Sequence, residues 1–431
     1  MMDKKKKGIT IITVGFALFA MFFGAGNLIL PPYIGMLSGK EWLFSLLGFF
    51  TTAIFAPFLG VLLVAKYGNS FMDLGQRLSP KFINLLTFLI ILCVGPLIAV
   101  PRTGATTFEV GFLPFFPELS PIIFAVLFFG LVLFLSISKS KIVDIIGQFL
   151  TPVLLLCLAI LVVLGIVNPP QEPILSSMSS AEAFSFSFIE GYQTLDVLAS
   201  VVFAGIVIGA VIDSGYTEEK EKTKITIYAG VVSTLALLFI YGGLIYLGAT
   251  TDYPNASGGS RTELLLYISR SILGDIGVLV ISVAISLACL TTAIALTSAT
   301  GDFVNKITNT KIPYSAGVIL CVVIAGILSV NSVDEIIKYA INILLFVYPI
   351  VFTLILLMLL FGKKVVAKTP YMCGILVSSI LSLVSVAENL GLKIELLSKM
   401  KKAIPLSEYG LEWLLPSFLA FGISCLFAKR S

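Results

Sequence analysis

Apolar runs of about 20 residues follow one another along nearly the whole chain, with only short connections between them. A helix of about 20 residues rises about 30 Å, the thickness of a bilayer's hydrocarbon core. Charge content agrees: 12% of the 431 residues are charged and 58% are apolar, whereas a soluble chain carries roughly a quarter charged residues. The expectation is an all-α polytopic membrane protein, one domain over 1–431, with the lipid bilayer as its surroundings.

Hydropathy places twelve transmembrane helices near 9–34, 42–65, 82–101, 119–137, 149–167, 185–212, 225–249, 276–300, 313–330, 338–361, 370–389 and 411–428. The weakest stretch is 102–118, where Pro101, Pro114 and Pro117 interrupt an apolar region and allow a re-entrant segment. Lys4 to Lys7 precede the first span without a small-residue cleavage site behind a short core, so this span reads as a retained helix. With the amino terminus inside, all but nine of the 28 Lys and Arg residues fall in cytoplasmic loops, following the positive-inside bias. The nine are Lys40, Arg102, Arg261, Arg270, Lys338, Lys393, Lys399, Lys401 and Lys402. The last four crowd the connection between spans 11 and 12, the one clear departure from the bias. Both termini are then cytoplasmic.

The net charge of +4 comes from short loops and gives no basis for a nucleic-acid partner. Cys93, Cys157, Cys289, Cys321, Cys373 and Cys425 sit inside apolar spans and read as buried thiols. With no histidine, the commonest metal ligand is missing. No nucleophile, base and orienting group stand together, so an enzyme is not expected.

Two spans carry interruptions at bilayer depth. In span 1, Gly24, Ala25, Gly26 and Asn27 lie in the middle of the apolar run, and Pro31 and Pro32 follow within two turns. A break there frees backbone groups that lipid cannot satisfy, which is tolerable where they line a cavity or bind something. Freed N–H groups suit a carboxylate and freed carbonyls suit a cation. A small-residue packing face is the competing explanation. In span 6, Glu190-Gly191-Tyr192-Gln193-Thr194 is a polar run with Asp196 just behind it. Glu190 there stabilises an unwound segment or joins a cation site; alternatively, span 6 begins only at Leu195 and these residues are interfacial caps.

If spans 1–5 (9–167) and 6–10 (185–361) are two units, each has an odd number of crossings, so the second is inverted. Both units then open with a broken helix, and spans 11 and 12 (370–428) are additions. Paired interruptions of this kind point to the central site of a secondary transporter. Span 8 adds hydroxyls at Ser286, Thr291, Thr292, Thr297 and Ser298, which either join a cation's oxygen shell or bond back to their own helix. Phe22, Phe23, Phe186, Phe188, Ile189, Tyr192 and Phe203 surround the breaks, and no Arg or Lys is expected beside either break. A zwitterion with an apolar side chain fits such a pocket better than a strong anion.

The segment from Gly8 to Pro32, with MFFGAGNLILPP at its end, and FIEGYQTLDVLAS at 188–200 together resemble the branched-chain amino acid transport system II carrier family, over essentially the whole chain. That family is similar to transporters with the five-plus-five inverted-repeat fold. The resemblance implies symport of leucine, isoleucine and valine with a cation, usually sodium, across the bacterial plasma membrane. It also implies a substrate-carboxylate site at Gly24, Ala25, Gly26 and Asn27 of span 1; Phe188, Ile189, Glu190, Gly191 and Tyr192 of span 6 complete the expected substrate site from the position of the second break, where FIEGYQT departs from the motif of the wider fold's relatives. By the same resemblance the sodium site comprises carbonyls of Ala20 and Phe23 with Ala288, Thr291 and Thr292 of span 8. Proton coupling through Glu190 or another embedded carboxylate is the alternative; a passive channel fits the paired breaks poorly, and a membrane enzyme would need a catalytic set that the sequence does not display.

Overall fold

Helix is the only regular structure among the residues described by the computed structural model, 4–137, 142–254, 259–392 and 395–427. Lys139, Lys141, Lys393, Lys429 and Arg430 of the loop charges counted above lie outside them. Seven helical stretches are at least 18 residues long and strongly apolar, and five shorter apolar helices complete the set. In chain order they form twelve passes. Span 1 is Lys4–Phe22 with Ala25–Ser38; span 2 covers 42–67; span 3 is Pro80–Phe112; spans 4 and 5 are Pro121–Ile137 and Ile142–Val167. Span 6 is Ser180–Glu190 with Asp196–Asp213, followed by span 7, Glu219–Ala249, and span 8, Arg261–Ile307, which bends at Gly274. Spans 9 to 12 are Tyr314–Leu328, Val333–Phe361, Lys368–Asn389 and Leu414–Phe427.

Three span starts are fixed by the same local device. Ser179, Ser260 and Ser332 each cap a helix whose third residue, Glu182, Glu263 or Glu335, reaches back to the cap's own N–H. This reciprocal box satisfies donors that a helix start otherwise leaves free. It sets where spans 6, 8 and 10 begin, and so where Arg261 and Asp334 in the first turns of spans 8 and 10 point.

Span 3 differs from expectation. The sequence suggested that it ends near Pro101; the helix instead continues to Phe112, and its irregularity lies earlier, at Gly95-Pro96, where Gly95 leaves helical geometry. A fresh helix starts at Ala99, so Pro101 falls in its first turn, where a missing N–H costs little. Arg102, expected in an external loop, is thereby carried into the middle of a transmembrane helix.

The broken spans are held by their neighbours. Both halves of span 1 pack on span 7, and span 2 packs on both halves of span 6. Spans 1 and 7 approach through glycine: a Cβ on Gly35 would stand 1.8 Å from the Ile245 carbonyl oxygen, and one on Gly248 would stand 2.0 Å from that of Pro32. Span 8 lies against spans 3, 5 and 9, while spans 10, 11 and 12 pack together. Large apolar residues on the periphery, such as Val126 and Phe134, are exposed, as lipid-facing positions should be.

Candidate functional site

The break in span 1 follows from its backbone bonding. Gly24 is extended, and its N–H donates to Phe22 O (3.0 Å) instead of to Ala20 O. Asn27 N–H donates to Gly24 O (3.2 Å) instead of to Phe23 O. The carbonyls of Ala20 and Phe23 therefore lose the bond that a continuous helix would give them.

In span 6 a single 3₁₀ turn, Gly191–Thr194, leads to Leu195 in the left-handed region (φ 65°) before Asp196 opens the second half. The Thr194 hydroxyl donates to Gly191 O (2.9 Å) and accepts Asp196 N–H (3.3 Å), so the turn is satisfied locally. The second halves of both spans thus begin at the same place, and the first halves end there. Helix starts favour negative charge and helix ends favour positive charge.

Between the breaks lies a small cavity of about 30 Å³. Gly24, Gly26 and Asn27 line it from span 1, Thr194, Leu195 and Asp196 from span 6, Arg102 and Thr103 from span 3, and Thr292 from span 8. Its apolar wall is Phe22, Val94, Phe203 and Leu296 with smaller side chains between them. A volume of this size holds water, since about 10–15 Å³ accommodates one molecule. It is too small for an amino acid, so any such ligand has to part the walls.

Two ionisable side chains face this space, and both are buried, Arg102 at 2% and Asp196 at 3% exposure. Arg102 Nε and Nη1 have no hydrogen-bond partner among the described residues. Its Nη2 would lie 2.6 Å from a Cβ at position 26, so Gly26 is what lets the guanidinium sit over the break. Asp196 Oδ2 accepts from Asn27 Nδ2 at 2.6 Å, and the same amide donates to the Tyr241 hydroxyl of span 7. One side chain of the span 1 break is thereby bonded to the start of the second half of span 6.

The sequence-expected residues divide into two groups. Gly24, Gly26, Asn27 and Thr292 line the cavity. A Cβ on Gly24 would stand 3.9 Å from Thr292 Cγ2, so spans 1 and 8 meet at this point. Thr291 donates to Ala288 O at 2.9 Å, leaving its lone pairs for another partner. Phe188, Ile189, Glu190, Gly191 and Tyr192 do not line the cavity. They form the framework behind it: a Cβ on Gly191 would stand 2.0 Å from Thr52 Oγ1, Phe188 O accepts from that hydroxyl (2.9 Å), and Tyr192 stacks on Tyr348 at 3.9 Å.

The expectation that no Arg or Lys stands beside either break is corrected at both. Arg102 lies against Gly26, and Arg261 reaches Glu190 at 3.3 Å. Sequence distance concealed both, because Arg102 comes from span 3 and Arg261 from the start of span 8. Arg261 also pairs with Asp334 at 2.6 Å and lies over the Tyr33 ring at 4.0 Å. Glu109 of span 3 accepts from Thr262 Oγ1 (2.7 Å) and Val333 N–H (2.9 Å) close by. This knot ties spans 1, 3, 6, 8 and 10 together beside the cavity. Arg102 had one available signal: an ionisable residue within an apolar span marks a functional position.

Two discontinuous helices meeting at a cavity with polar groups at membrane depth define a secondary active transporter of the inverted-repeat class. Comparison with known proteins agrees and goes further. The family profile described as "Branched-chain amino acid transport protein" matches residues 7–431, and the chain belongs to that family. Among its relatives, the branched-chain amino acid permease BraB of Bacillus subtilis (strain 168) is 33% identical over 415 residues, covering 95% of this chain and 93% of that protein. The permease BrnQ of the same strain is 33% identical over 431 residues, covering 98% and 97%. Among solved structures, the fold is similar to the nucleobase-cation-symport-1 family transporter Mhp1 in a closed conformation with bromovinylhydantoin bound (TM-score 0.60, 12% identity, 97% of this chain and 94% of that one). It is also similar to MhsT in complex with L-phenylalanine (TM-score 0.58, 17% identity, 96% and 98%). The chain is a bacterial multi-pass membrane protein and a secondary active amino-acid transporter, not an enzyme.

Proposed function

We propose that the protein imports leucine, isoleucine and valine together with sodium across the bacterial plasma membrane, with both termini cytoplasmic. The observation that carries this reading is the pairing, in one apolar-walled cavity, of a buried guanidinium with unfilled donors and a buried carboxylate. A zwitterionic amino acid supplies the complementary groups: its carboxylate to Arg102 and the helix start at Ala25, its ammonium to Asp196. The aliphatic side chain then lies against Phe22, Val94, Phe203 and Leu296.

Sodium is held by the carbonyls that the span 1 break frees at Ala20 and Phe23, with the carbonyl of Ala288 and the hydroxyls of Thr291 and Thr292. A shell of neutral oxygens binds a monovalent ion weakly enough to release it. Spans 1–5 (9–167) and 6–10 (185–361) act as the two repeats, and the knot at Arg261 closes the external mouth. A membrane potential of about 100 mV contributes about 2.3 kcal/mol per charge, roughly fiftyfold in accumulation.

Asp196 favours a second reading, coupling to protons, because it is a carboxylate inside the cavity, whereas Glu190 is held in an ion pair outside it. Uptake of labelled isoleucine into proteoliposomes under separately imposed sodium and proton gradients, with an ionophore fixing the potential, tests the choice. Accumulation driven by inward sodium alone is expected. Accumulation driven by a proton gradient in sodium-free buffer would replace the sodium reading.

A further inference from the structure

A larger cavity, about 390 Å³, lies on the other side of the span 6 break from the central one, between the first half of span 6, spans 10 and 11, and the connection to span 12. It absorbs part of the loop whose lysines depart from the charge bias. Lys401 Nζ pairs with Glu388 Oε2 at 2.8 Å and Glu412 Oε1 at 3.2 Å. Burial opposes its charge, but Glu412 and Glu388 outweigh that and hold the ammonium above the ordinary lysine value. Lys401 is therefore committed to its two carboxylates, and Glu408 on the same wall leaves an excess of negative charge.

Three further wall residues have unused hydrogen-bonding capacity among the described residues: Glu412, Ser382 and Trp413, whose indole N–H is a donor without an acceptor. Glu412, 6% exposed, accepts from Ser385 Oγ (2.6 Å) and Lys401 through Oε1, while its Oε2 has no partner among the described residues. Ser382, 2% exposed, likewise leaves its hydroxyl without one. A buried carboxylate oxygen without a donor is costly, and a charged donor relieves that cost most. Ile189, Leu345 and Pro349 supply apolar lining, and the Trp413 ring adds to it.

We propose that this cavity is a second binding site, for a primary ammonium carried on an apolar body, with Glu412 as its anionic partner and Ser382 as an additional acceptor. Two sources share that chemistry: an apolar amino acid, including one that the transporter carries, and an apolar amine without a carboxylate. The cavity also touches Tyr192 of the span 6 break, which stacks on Tyr348, whose hydroxyl donates to Thr52 O. An occupant there biases the break from outside the transport path.

Trp413 makes binding visible, because the chain has only two tryptophans. In full-length Trp42→Phe protein reconstituted in nanodiscs, 2-methylbutylamine is expected to change Trp413 emission saturably. Glu412→Gln weakens this response at least tenfold, whereas Asp196→Asn, an alteration of the central cavity, leaves it. Should Glu412→Gln fail to fold, Ser382→Leu, which fills the wall, serves the same purpose. Isoleucine giving the same response extends the site to amino acids; its failure beside a positive amine restricts the site to amines. Either result upholds the assignment. No saturable change with the amine, an equal change with potassium at matched ionic strength, or a response that survives both variants would overturn it.

Discussion

Two arginines near the breaks, Arg102 fully buried inside span 3 and Arg261 partly buried at the start of span 8, are bonded very differently. Arg261 is bonded to two carboxylates and stacked on Tyr33, with only its Nε lacking a partner among the described residues; Arg102 is more deeply buried and keeps two of its nitrogens without partners among them. The first arrangement holds elements together. The second costs stability, since an unsatisfied buried donor is worth about 1–3 kcal/mol and more when charged, and it makes sense where a ligand completes it. In the proposed reading, the paired charge beside the cavity is architecture and the incompletely bonded charge within it is recognition.

That contrast can be broken by exchanging the two fates. Arg102→Met should reduce isoleucine uptake at least a hundredfold while lowering the melting temperature less than loss of Arg261 does, because Arg102 has nitrogens without partners among the described residues and so fewer bonds to lose, although Asp196 is then left without the neighbouring guanidinium. Normal uptake in that variant would end the recognition role. Arg261→Ala should cost more stability, about 3 kcal/mol, by leaving Glu190 and Asp334 unpaired in a largely buried place, with uptake lowered about tenfold. Melting curves of reconstituted protein decide it, and an unshifted midpoint would mean that the knot does not hold the spans. Gly26→Ala sharpens the comparison, since its methyl group would push the Arg102 guanidinium without removing it. Isoleucine half-saturation should rise about tenfold, with sodium activation little altered. The smallest effect belongs to Thr292→Ala: sodium half-activation should rise severalfold at an unchanged melting temperature, and an unaltered sodium dependence of uptake would remove Thr292 from the cation shell.

The sequence disclosed the spans well because bilayer thickness demands long apolar runs, and both breaks were legible because glycine and buried polar residues are conspicuous in them. Long-range contributions were not. Pro101 suggested a helix end, yet the first turn after a kink tolerates proline, so Arg102 was assigned to a loop and the cavity lost its cation. FIEGY was expected to face the cavity as a block, whereas its backbone turns within one 3₁₀ step; Thr194, Leu195 and Asp196 face the space, and Tyr192 faces the outer cavity. Periodicity cannot reveal which way residues point across a break, because the helical period stops there. In the lysine-rich connection before span 12, Lys401 is bound into an acidic cluster, which a count of loop charges could not reveal.

The central claim is that Arg102 reads the substrate's carboxylate. Its most direct measurement compares calorimetric binding of isoleucine and isoleucinamide, in saturating sodium, to wild-type protein and Arg102→Gln. The account predicts that the wild type prefers isoleucine at least a hundredfold and that the ratio falls to about one in the variant. A ratio unchanged in Arg102→Gln would contradict it and return the carboxylate to the backbone of span 1 alone.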